Sequence, residues 1–237
     1  GNFMYAKNKV IYMDETPQPE GYEYLYLTGH PMGSSLYYQC IGINRTEEDL
    51  KNYPQMAGSG LGDYIYKDID ENGKIDAKDM LRSDLNTIPQ IVFGLTANFQ
   101  YKNFDLSILF QGQALARLHY TPLQAPLEGN ITKEMATQSW NLDRPDAKYG
   151  RINSTNNRKE STMWLRNASF LRLKNVELGY NFSGKALKTV GVKGLRLYIG
   201  GYNLFTISGL KEVDPETNNT AAYPLMRVFN TGVKVTF

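Results

Sequence analysis

Between Asp68 and Asp79 the chain reads DIDENGKIDAKD, with oxygen-bearing side chains at loop positions 1, 3, 5, 9 and 12. Asp68, Asp70 and Asn72 take the first three positions, Asp76 the ninth and Asp79 the twelfth, and Lys74 offers its carbonyl at the seventh. Donors at these intervals wrap a hard cation, and Gly73 at position 6 allows the sharp reversal that such a loop needs. The spacing predicts a structural Ca2+ site that pins a long loop and has no open coordination position for catalysis. Asp79, in place of the customary Glu, shortens the reach at position 12. An Asx-rich turn held by side-chain to backbone hydrogen bonds accounts for the same residues without a metal. Both readings stand at this point.

Little else in the chain has the spacing of chemistry. The single cysteine, Cys40, has no partner for an internal disulfide, and His30 and His119 lie in unrelated contexts. Glu47-Glu48 falls on a solvated helix. Phosphate loop, zinc spacing and catalytic triad are all missing, so the reading is not an enzyme. Trp140, Tyr149 and Trp164 could stack on sugars or could serve ordinary packing. Six N-x-S/T sequons (Asn44, Asn130, Asn153, Asn167, Asn181, Asn218) are expected by chance in an Asn- and Thr-rich chain. A net charge of +2 with scattered Lys and Arg argues against nucleic acid. Mean hydropathy is −0.45, and no run approaches ~20 apolar residues, which excludes a helical membrane protein but not a β-barrel.

The elements that carry these residues follow from alternation. Residues 2–13 read as a strand, 22–27 and 36–43 as strand-like pieces, and a short helix follows that Thr46 could cap, with Glu47, Glu48 and Asp49 in its first turn. Two strands over 90–101 and 104–111 flank a tight turn at Lys102-Asn103. A second short helix is expected over 132–140, a long strand over 164–182, and another strand over 194–205. On strict alternation Arg172 and Lys174 would share the face of Val176 and Leu178, so a bulge is expected near 173–175. The fold class is all-β, with about six long antiparallel strands. The short connections (102–103, 183–192) fall on one side and the long ones (14–86, 115–163, 206–222) on the other. Transmembrane barrels sort their turns and loops in this way.

The final strand alternates to its last residue. Phe229, Thr231, Val233, Val235 and Phe237 point one way; Val228, Asn230, Gly232, Lys234 and Thr236 point the other. Gly232, Val235 and Phe237 have the pattern of a barrel-assembly terminus. The chain opens on Gly-Asn-Phe without an initiator Met, as a piece of a longer chain would.

Several stretches taken together resemble one family. GDYIYKDIDENGKID, IPQIVFGLTANFQYKNFDLSILFQG, SFLRLKNVELGY, LRLYIGGYNLFT, DPE and the closing YPLMR are similar, in order, to the C-terminal part of SusC/RagA-type TonB-dependent outer-membrane transporters of Bacteroidetes. TGHPMG and SWNLDRPDAKYGR fit as well, with Gly150 where the family usually has Pro. The resemblance implies a large transmembrane β-barrel in the cell outer membrane, a SusD-like lipoprotein partner, glycan or peptide cargo, and energy from TonB. Plug domain and TonB box have no counterpart here, so residues 1–237 would supply wall, extracellular loops and closing strand. The competing reading is a soluble, secreted, calcium-binding module for carbohydrate. The 91–110 hairpin separates the two: its apolar face meets lipid in one and is buried in the other.

Overall fold

Alternation carries over into the structure, a computed structural model that describes residues 1–120, 131–182, 191–211, 213–217 and 222–237. In chain order the strands are β1 (Asn2–Tyr5), β2 (Ser35–Tyr38), β3 (Cys40–Ile43), β4 (Tyr64–Tyr66), β5 (Met80–Ser83), β6 (Ile91–Tyr101), β7 (Phe104–Ala114), β8 (Arg117–His119), β9 (Leu165–Asn167), β10 (Phe170–Phe182), β11 (Gly194–Ser208) and β12 (Val228–Thr236). Two short helices are α1 (Glu47–Asn52) and α2 (Lys133–Gln138). No helix among the described residues is long and apolar enough to cross a membrane. The chain divides into two compact units, one of residues 1–6, 88–116 and 167–237, the other of 7–87 and 117–166.

The first unit is a six-stranded antiparallel sheet in the order β1-β6-β7-β10-β11-β12. Its register sorts every strand into two faces. Leu95, Ala97 and Phe99 pair with Phe110, Ile108 and Leu106. Val176, Leu178 and Tyr180 pair with Ile108, Leu106 and Phe104. Leu195, Leu197 and Ile199 stand opposite Val235, Val233 and Thr231. The opposite face carries Thr96, Asn98, Asp105, Ser107, Gln111, Glu177, Asn181, Arg196, Asn230 and Lys234. Between Leu173 and Asn175 the register of β10 slips against β7, leaving Lys174 as the extra residue of a bulge. The slip takes Arg172 off the apolar face and sets it opposite Gln111 and Thr206.

The second unit draws on two segments far apart in sequence. Its core is largely aromatic: Tyr38, Tyr64, Tyr66, Tyr149 and Trp164 are all buried. Two of these rings, Tyr64 and Tyr66, use their polar ends across the segments. Tyr66 OH donates to the Asn156 carbonyl at 2.7 Å, and Gly150 N donates to Tyr64 Oη at 3.1 Å. Asn157 Oδ1 accepts from Tyr64 N at 2.7 Å. The buried Asp63 carboxylate takes a bidentate pair from Arg151, at 2.7 and 2.8 Å. Thr46 and Asp49 form a capping box on α1, and Thr132 caps α2.

Four expectations change. The strand expected over 2–13 ends at Tyr5, because Val10 turns to exchange backbone bonds of 2.8 Å with Gly29 and His30. Residues 22–27 hold a 3-10 turn (Glu23–Leu25) in place of a strand, since the Tyr22 and Tyr24 hydroxyls bind Asp70 and the Lys78 carbonyl. The piece at 36–43 becomes two strands, β2 pairing with β5 and β3 with β4. The strand over 164–182 is likewise two, β9 pairing with β8 and β10 joining the large sheet.

Candidate functional site

The apolar face of the six-stranded sheet bears no Asp, Glu, Lys or Arg on any strand. It is open: Leu95 is 55 % exposed, Phe99 59 %, Ile199 60 % and Val233 61 %. Exposed apolar surface on this scale marks a membrane or a partner, because water disfavours it by roughly 25 cal/mol per Å². β6 and β7 have 11 residues each, so each is ~36 Å long at ~3.3 Å per residue. Tilted by ~45°, such a strand rises ~25 Å, the height of a barrel's lipid-facing band. Aromatic rings gather at the end that carries the tight turn. Phe104 meets Tyr180, and Tyr180 meets Phe182, each with centroids 4.7 Å apart and edge-to-face.

The other face is stitched by charge. Arg196 on β11 reaches across β10 to Asp105 on β7, donating from Nε at 3.1 Å and from Nη2 to the second oxygen. The same Nη2 donates to Glu177 at 2.7 Å, and Asn181 Nδ2 donates to Asp105 at 2.7 Å. Gly179 stands between them. A Cβ there would lie 2.6 Å from the Asp105 carboxylate and closer still to the guanidinium. Gly232 has a similar reason to be glycine, because the ring of Tyr198, its register partner, covers it. Val235 lies opposite Leu195 on the apolar face, and Phe237 is 78 % exposed past the end of β12.

In the second unit the acidic loop closes on itself. Carboxylate oxygens of Asp68, Asp70 and Asp79 lie within 4.8 Å of one another. Asp68 Oδ2 accepts from Gly73 N at 2.7 Å, while its buried Oδ1 has no hydrogen-bond partner. Asp79 is fully buried and accepts from Ile69 N and Asp76 N, both at 2.7 Å. Burial pushes its carboxyl up from the ordinary value, against the pull of those two bonds. Partial burial also pushes Asp70 up, but bonds from Tyr22 and Asn72 outweigh it and hold this carboxyl below its ordinary value. Asp76 is not in the group: it is exposed, and its Oδ1 accepts from Lys78 N at 2.8 Å. Asn72 Oδ1 accepts from Lys74 N at 2.9 Å. The Asx turns of the metal-free reading are therefore formed, and three carboxylates converge within them. Their donor set, with one orphaned buried oxygen, fits a hard cation.

Tyr149 and Trp164 stack on each other inside the core, centroids 6.3 Å apart, and offer no platform to a sugar. Trp140 packs its ring against Gly62, whose φ of +82° and lack of Cβ admit it. Burial pushes the Cys40 thiol up to about 11, so it stays protonated and weakly nucleophilic at neutral pH. Asn44 is buried and bonded to Gln55, which closes that sequon; Asn130 and Asn218 lie outside the described residues.

No protein-family model matches the chain. Curated relatives do. The whole chain aligns at 27 % identity with TonB-dependent receptor P3 of Formosa agariphila, covering 26 % of that protein. TonB-dependent receptor SusC of Bacteroides thetaiotaomicron is 28 % identical over 73 % of the chain and 19 % of its own length. This chain is a homologue of the TonB-dependent receptors. It spans about a quarter of the length of the curated relatives it matches. Among solved structures, the RagAB peptide transporter superposes with a TM-score of 0.65 at 21 % identity, over 89 % of the chain and 23 % of that one. RagAB in its closed-closed state gives 0.65 at 20 % identity over 93 % of the chain. That likeness carries the fold: the six-stranded antiparallel sheet, open at both edges within this chain, follows a section of that structure.

Proposed function

We propose that this chain is the C-terminal portion of an outer-membrane TonB-dependent importer of nutrients, glycan or peptide, working with a SusD-like lipoprotein and powered through TonB by a part of the protein outside residues 1–237. Its share is passive. It supplies barrel wall and extracellular segments, with Gly232, Val235 and Phe237 as candidate barrel-assembly residues at and just past the end of β12. The observation that carries the reading is the charge-free apolar face that runs unbroken across all six strands and lies open. A soluble carbohydrate-binding module would bury that face. The polar face then lines the lumen, and the likeness to TonB-dependent receptors and to the RagAB peptide transporter supports import through it.

The test is depth. In the full receptor, single cysteines replacing Leu95, Phe99 or Ile199 and labelled with an environment-sensitive dye should be quenched by brominated acyl chains. Dyes at Thr96 or Asn98 should not. Equal quenching at both sets would sink the wall reading.

A second reading concerns the loop at 68–79. The convergence of Asp68, Asp70 and Asp79 around an orphaned oxygen favours Ca2+ held there as a structural staple. The backbone carbonyl of Lys74 and the side chains of Asn72 and Asp76 stand as further candidate donors from the spacing.

A further inference from the structure

The bulge at Lys174 has a partner in the chain. Asp214, Pro215 and Glu216 form a turn closed by Thr217 N on the Asp214 carbonyl at 3.1 Å, with Pro in its favoured second place. Asp214 Oδ1 also accepts from Glu216 N at 3.0 Å. The turn thus presents two carboxylates in one direction. Arg172, 2 % exposed, receives both: Nη2 donates to Asp214 at 2.7 Å and Nη1 to Glu216 at 2.6 Å. Lys174 Nζ closes on the same Glu216 at 2.9 Å. Two cations face two anions, and nothing in the group is left over.

The placement matters more than the pairing. Three adjacent strands send side chains into this knot: Gln113 of β7 to the Pro215 carbonyl at 3.2 Å, Arg172 and the bulged Lys174 of β10 to the carboxylates, and Thr206 of β11, whose Oγ1 accepts from Arg172 Nε at 2.9 Å. Pro215 is buried. The turn therefore lies across the polar face and does not continue outward from the strand ends. We infer that residues 213–217 are a fixed strap, clamped by Arg172 and Lys174 onto the lumen side of the wall, where it narrows the barrel at the end opposite the 102–103 turn. This rests on the polar face being the lumen. A buried guanidinium stripped of its carboxylates is costly, so the strap stays down. For the same reason Arg172 and Lys174 are already neutralised and offer no free charge to passing solutes.

The experiment uses the full receptor in outer membranes, in a Cys40→Ser background, with a membrane-impermeant maleimide. Pro215→Cys should label on the order of tenfold more slowly than Tyr223→Cys, which is 81 % exposed in the same connection. Arg172→Met should bring the two rates together. Should that variant fail to assemble, as judged by heat-modifiable migration, the milder pair Lys174→Met and Glu216→Gln should each speed Pro215→Cys labelling severalfold. Fast labelling of Pro215→Cys in the parent, or no response to any of the three variants, overturns the strap. Ile199→Cys serves as the arm for the wall itself. If it labels with the impermeant reagent, the lumen assignment fails, whatever Pro215→Cys does; if it stays silent while Pro215→Cys labels fast, only the strap fails.

Discussion

Gly179 shows how one absent side chain can organise three strands. Arg196 and Asp105 belong to β11 and β7, and the strand between them must leave room for their contact. Replacing Gly179 by Ala puts a methyl 2.6 Å from the Asp105 oxygen, so the pair must separate or the backbone must shift. The expected result in the full receptor is a lower temperature of heat modification, by about 2–4 °C. Gly209→Ala is the control, because nothing stands within 4 Å of its added methyl. Equal shifts for the two substitutions would remove the stitch from the account. The glycine itself was visible in the sequence, but its reason was not: periodicity places Gly179, Asp105 and Arg196 on one face, while only the register makes them neighbours.

Elements were legible where local chemistry and tertiary pairing agree. Thr46 with Asp49 announces α1, and the capping box is formed. The bulge was legible too, because two cations on an otherwise apolar face demand a slip, and the slip sits between Leu173 and Asn175. The partner of those cations was not, since Asp214 lies 42 residues from Arg172. The loop at 68–79 is the element whose chemistry is still to be measured. If Ca2+ is its staple, chelator should speed proteolysis of residues 60–85 in the full receptor, by about tenfold for a site that holds the loop closed. Added Ca2+ should reverse this, and Asp68→Asn should abolish the difference. Cleavage that ignores chelator leaves hydrogen bonds as the staples, among them the Asx turns and the Tyr22–Asp70 and Tyr24–Lys78 bonds.

For the whole molecule, the decisive fact is that residues 7–87 and 117–166 make one unit. Alternation describes them as separate long connections, because neither has a strand pattern of its own length. Together they bury Tyr64, Tyr66, Tyr149 and Trp164 and pair Asp63 with Arg151. Arg151→Met leaves the fully buried Asp63 carboxylate short of its half-exposed cation, a loss of about 1–3 kcal/mol for a buried acceptor deprived of its partner. Both segments should then become protease-sensitive together, while the heat-modifiable barrel is unchanged. Sensitivity confined to the 117–166 segment would show that the two do not fold as one. Residue type alone sets the class of the sheet, since a period of two with an uncharged apolar face follows from it, and local motifs carry the family resemblance. Register, the co-folding of distant segments and the docking of the 214–217 turn were decided only by tertiary structure, because each depends on which residues meet across tens of positions, and side-chain periodicity holds no information about the partner.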